Sequence, residues 1–258
     1  MRLMKRILSA AAVLALSASL LVGCSSGTAS SVPVSASSAA ESTVSSVEET
    51  ASSAVDENEA AAAQLLNDLT GSYQELWPVI LADEYKQTWL DDCTALVGED
   101  NAEAAFEKLS SMVTGDVYGE DAVKAYANGG GAYFCGFTNS LAILTFDGET
   151  STISGTDKDG NVLFSHTYHY IGMEPVRGLY EFESDGAGSG EFTYFFLAPD
   201  TSAETYHIEF RYGSDADALS QYDAGDYAYW LASGISTDCD QTMIDNCIEL
   251  FCTENLAG

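Results

Sequence analysis

The chain has 258 residues, of which 40 are acidic and only 9 basic, for a formal charge of −31. A surface of that sign repels nucleic-acid phosphates and excludes nucleic-acid binding as a function, while attracting cations diffusely. The apolar share, 46% with 11% aromatic, is enough for one core of ordinary size.

Met1–Arg6 carries Arg2, Lys5 and Arg6, and Ile7–Val22 is apolar and small, ending Leu21-Val22-Gly23-Cys24. A basic start, a short apolar stretch and small residues before the cut predict a secretory signal over 1–23, too short for a membrane span. The ending resembles a bacterial lipobox, which implies cleavage before Cys24 and lipidation of its sulfur. The expected location is the extracytoplasmic face of the cell membrane, held by the lipid anchor. Removing the signal leaves 6 basic residues against 40 acidic ones, a formal charge of −34.

Residues 24–60 begin with the lipidated cysteine and are rich in Ser, Ala, Thr and Glu, without an aromatic residue or a lysine. Such a composition buries too little apolar area to offset chain entropy, so a disordered tether is expected. Residues 61–258 hold every tryptophan, histidine and tyrosine and form the single expected domain.

Helical patterning is read over Glu59–Leu69, Asp83–Val97, Asn101–Val113 and Glu120–Ala127. In the third of these Ala102, Ala105, Phe106 and Leu109 recur at i, i+3, i+4 and i+7. From Ala132 the period changes to that of strands: Ala132–Thr138, Leu141–Phe146, Thr150–Ser154, Val162–Ile171, Leu179–Glu183, Phe192–Leu197 and Thr205–Tyr212. Tight turns at Asp147-Gly148, Asp159-Gly160-Asn161 and Asp185–Gly188 separate them, which predicts antiparallel neighbours in a meander or barrel. A short helix over Asp215–Ser220, an aromatic segment Tyr222–Trp230 and an amphipathic helix Asp238–Phe251 complete the chain.

Four features over the last third resemble the ZinT/YodA family of periplasmic or surface zinc-binding proteins. They are the Leu197-Ala198-Pro199 turn, the His207-Ile208 strand, the Gly213-Ser214-Asp215 exit into a helix, and Tyr227-Ala228-Tyr229-Trp230. Gly71-Ser72-Tyr73…Trp77-Pro78 resembles that family's opening, in which a Gly-x-aromatic step leads into Gln, an aromatic residue and Pro. The resemblance implies a mainly β, α+β fold: a calycin- or lipocalin-like antiparallel barrel with N-terminal helices and a C-terminal helix. It also implies zinc as the bound ion, acquisition or buffering of divalent metal as the role, and a metal transporter component as a partner. The family's three histidines fall on Phe195, Thr205 and His207, so His207 alone is retained and the ligand set is depleted.

On its strand His207 shares a face with Thr205, Glu209 and Arg211, a face expected to look toward water or a polar barrel mouth. His166, His169 and Glu209 are further candidate ligands. His166 and His169 point to opposite sides of one strand, so at most one of them can join His207. Zinc ordinarily takes three protein ligands at an open site, so binding is expected to be weak and to fade as the imidazole protonates below about pH 6.5. Asp157-Lys158-Asp159-Gly160-Asn161 starts like a calcium loop, but the closing position is Tyr168, and a turn is expected instead. The cysteines beyond Cys24 are odd in number, lack a Cys-x-x-Cys and read as small buried hydrophobes. No nucleophile–base pairing or phosphate-binding glycine loop is present, so the reading is a binding protein rather than an enzyme. The alternative function is a metal-free calycin-like module for a small organic ligand or a partner protein.

Overall fold

The computed structural model describes residues 57–127, 131–198 and 207–257. The signal, Cys24, Pro199 and Thr205 lie outside those residues, as does nearly all of the tether.

Eight antiparallel strands close into a barrel in strict chain order: β1 Gly71–Glu75, β2 Ile143–Asp147, β3 Thr152–Thr156, β4 Val162–Met173, β5 Tyr180–Ser184, β6 Tyr194–Leu197, β7 His207–Gly213 and β8 Ala232–Ser236. β8 pairs with both β7 and β1, so no sheet edge is left open. Residues 57–68 are helical (α1), followed after β1 by α2 Leu76–Ile80, α3 Lys86–Val97, α4 Glu99–Val113 and α5 Gly119–Tyr126. α6 Ala216–Leu219 follows β7, and α7 Gln241–Leu256 ends the fold. This is the expected barrel with N-terminal helices and a C-terminal helix, except that β1 precedes α2–α5 in the chain.

Two cores result. The barrel interior is aromatic: Phe146, Phe182, Phe195, Phe210, Tyr212 and Trp230 are each at most 1% exposed. Rings distant along the wall meet there, with Tyr168 of β4 on Phe195 of β6 at 5.4 Å and Phe137, from the segment before β2, on Phe210 of β7 at 5.3 Å between centroids. Such contacts hold the wall together beyond plain area burial. The second core lies outside the wall, where α2, α3, α4 and α7 pack Trp77, Ile80, Trp89, Leu109, Ile244 and Ile248 against Ile235 of β8.

Three readings change. Ala132–Thr138 is not a strand; only Phe134 makes bridges, to Thr114 and Trp230. A closed barrel offers it no edge, so its backbone bonds go elsewhere: Phe134 N–H to the Tyr229 carbonyl, and Thr138 N–H to the Tyr212 hydroxyl at 2.6 Å. β8, Ala-Ser-Gly-Ile-Ser, carries no alternation in its sequence because both of its faces are covered. Ala232 faces the aromatic interior and Ile235 the helices. Gly234 lets the strand lie close to its neighbours, since a Cβ would lie 3.1 Å from Ile208 and 3.3 Å from the Phe137 ring.

The third concerns the polar face of β7, which does not look toward water. Arg211 is fully buried and donates to the carbonyls of Leu219, Gln221 and Tyr227, with its guanidinium 4.3 Å from the Tyr222 ring centroid. A planar fork of donors suits such a cluster of carbonyls, and the stacked ring covers its face.

α7 begins with Asp240 as its cap, the carboxylate accepting from Met243 N–H at 3.0 Å. It runs past the expected end at Phe251 by more than a turn. The Asp157–Asn161 segment is a turn, with the Asp157 carboxylate accepting from the backbone of Asp159 and Asn161, both at 2.9 Å.

Candidate functional site

Cross-strand pairing fixes where each proposed ligand points. His207 pairs with Ile235 and Glu209 with Ser233, and Ile235 belongs to the helix-covered core. His207 and Glu209 therefore stand on the outer side of the barrel wall, half-buried beneath α2 and α7. They line one cavity of about 60 Å³ with Trp77 of α2 and with Cys247, Phe251 and Glu254 of α7. Each of His207, Glu209 and Glu254 is already engaged in an interaction.

Sequence reading stopped α7 one turn short of Glu254. The signal was present: Cys247, Leu250, Phe251 and Glu254 recur at i, i+3, i+4 and i+7 and form one helix face. Burial pushes the Cys247 thiol up to about 12, with the charges of Cys239, Glu209 and Glu254 adding to it. At neutral pH this group is a thiol, a poor metal ligand. The cavity thus offers one imidazole and two carboxylates.

Positions 195 and 207, both ligand positions by the resemblance, do not converge. Phe195 pairs with Tyr212 across β6 and β7 and is wholly buried in the interior, on the other side of the wall from His207. Its neighbours there are Phe164, Tyr168, Phe210 and Tyr212.

The other histidines lie on β4, separated from β7 by β5 and β6. His166 falls between the interior residues Phe164 and Tyr168, beneath Gly186, where a Cβ would come within 2.5 Å of its ring. His169 is exposed, with Nδ1 2.8 Å from Asp185 Oδ1 and Nε2 3.9 Å from Glu183 Oε2. Neither is brought to His207. Among the described residues, no three His, Cys, Asp or Glu side chains are gathered as a ligand set for a metal ion.

A larger groove of about 240 Å³ lies beside Glu75, Trp77, Thr114 and Phe134 and contains no histidine. Of its two carboxylates, Glu75 already accepts from Phe137 N–H at 2.6 Å, and Asp116 is exposed. Of the two, the smaller cavity alone holds an imidazole.

No family model and no curated protein matches the chain. Among solved structures it is similar to the Zn(II)-bound ZinT-like domain of Streptococcus pneumoniae AdcA, at 14% identity and a TM-score of 0.45, over 71% of this chain and 89% of that one. It is also similar to Zn(II)-bound AdcA from the same organism, at 14% identity and a TM-score of 0.40, over 75% of this chain and 35% of that one. The barrel itself stands on its own strand pairing.

Proposed function

We propose that this chain is a lipid-anchored extracytoplasmic protein that binds a divalent metal ion, zinc first, weakly and as cargo. The reading is carried by one observation: His207, Glu209 and Glu254 line a single cavity. Glu254 sits in the last turns of the 16-residue α7, where the partial negative charge of the helix terminus favours a cation. The strongly acidic chain supports the same reading by drawing cations to the surface.

Because the three side chains are not gathered as a ligand set, an ion must draw them together, and its affinity falls by that reorganisation. Carboxylates are harder donors than imidazole and suit zinc less well. The role that follows is buffering, or delivery to a metal transporter component, rather than tight sequestration. The lipid on Cys24 and the long Ser/Ala-rich segment after it hold the domain near, but off, the membrane.

The alternative, a small organic ligand inside the barrel, meets an interior already filled by Tyr168, Phe182, Phe195, Phe210 and Trp230. NMR of the histidine side chains during zinc titration tests the site. The proposal expects saturable shifts at His207 with His166 and His169 unmoved; shifts centred on His169 with none at His207 would refute it.

A further inference from the structure

We propose that Cys93 and Cys252 are a disulfide-forming pair that ties α3 to α7. Their sulfurs stand 3.9 Å apart, and both residues are completely buried, although 159 positions separate them in sequence. They are reduced in this structure, like Cys135, Cys239 and Cys247. A bonded S–S distance is about 2 Å, so the approach still needed is under about 2 Å, shared between two side chains by rotation.

The flanking contacts keep this pairing in register. Trp89, one turn before Cys93, packs on Phe251, the residue before Cys252, at 5.9 Å and 80°. The Trp89 indole N–H is anchored to the Ile80 carbonyl at 2.7 Å. Cys247 is five residues before Cys252, which on a helix turns it well away, and it faces the His207 cavity.

The α3–α7 seam also collects like charge. Asp92, beside Cys93, has Asp245 and Glu249 of α7 among the groups that disfavour its ionisation. Repulsion of that kind opens a seam held only by packing; a covalent link opposes it.

The chemistry is thiol–disulfide exchange with an external disulfide, supplied by a disulfide-bearing oxidoreductase or by oxidised glutathione. One thiolate attacks the external bond to give a mixed disulfide. The second displaces the external thiolate, so two cysteines lose two electrons and two protons and the external disulfide becomes two thiols. Both thiols are completely buried in the folded domain and out of reach of an external disulfide, so the bond forms during folding. Once formed it fixes α7, the wall that carries Cys247, Phe251 and Glu254 to the cavity. The inference does not depend on metal binding.

The test is to unfold the full chain, refold it in glutathione buffers from fully reduced to fully oxidised, block free thiols and digest with trypsin and a Glu-specific protease. The expected product under oxidising conditions is Gln87–Glu99 joined to Leu250–Glu254, two hydrogens lighter than the separate thiol peptides. In the Cys252→Ser chain that link must vanish without Cys93 moving to Cys239 or Cys247. Recovery of both peptides singly alkylated from the oxidised protein overturns the proposal, as does equal linkage of Cys93 to another cysteine.

Discussion

Phe195 and His207 lie on opposite sides of the barrel wall, Phe195 among interior rings and His207 beneath α2 and α7. The family resemblance places both at ligand positions, yet a side chain at 195 projects to the other side of the wall from the cavity that His207 lines. Placing a histidine at that position by Phe195→His is therefore predicted to leave zinc affinity unchanged. It also places an imidazole in an aromatic core, lowering stability by about 2–4 kcal/mol. Urea unfolding and metal titration of the variant check both halves; tighter zinc binding by Phe195→His would contradict the side assignment.

Arg211 holds the segment between α6 and β8 by donating to three carbonyls from a fully buried position. Arg211→Met keeps much of the volume but leaves those carbonyls without their donor, each a desolvated acceptor. The expected loss is about 3 kcal/mol or more, seen as a lower urea midpoint with the slope preserved. A loss within about 1 kcal/mol would show that water or nearby backbone satisfies these groups.

How much of this was legible in the sequence depends on what covers each strand. β4 and β7 show period two because their faces differ, and their turns carry Asp, Gly and Asn in the usual places. β8 was hidden because both of its faces are buried and its residues are small. Arg211 reads as a solvent-facing charge on a polar stripe, and only the loop folded over it reveals a buried hub. At the site, the shared face of His207 and Glu209 follows from strand geometry alone. Glu254 joins them through the length of α7 and its packing against β7, a long-range relation that no local pattern specifies.

Burial, followed by the charges of Glu249, Asp245 and Asp91, raises the carboxyl pKa of Asp92 above its ordinary value, and its Oδ2 lacks a hydrogen-bond partner. A raised folded pKa means the native state binds the proton more tightly than the unfolded chain. The associated stability is fully present below the unfolded pKa of about 4 and is lost as pH rises through the folded value. Asp92→Asn is accordingly predicted to raise Tm at pH 7 and to give no gain at pH 3. Thermal melts at the two pH values decide it; an equal shift at both would point to packing instead of charge.

Cys24→Ser is predicted to move the protein from the membrane fraction to the soluble extracytoplasmic fraction without altering its circular dichroism. Unchanged fractionation with membranes would remove the lipid anchor from the account.

Weak cargo binding at His207 is tested most directly by calorimetric titration of zinc into the full chain beside its His207→Ala and Glu254→Gln variants. The account predicts saturable binding to the parent, abolished by His207→Ala and weakened several-fold by Glu254→Gln, since one of three donors is lost in each. Binding of undiminished affinity in the His207→Ala protein, or no saturable binding in the parent, would contradict it.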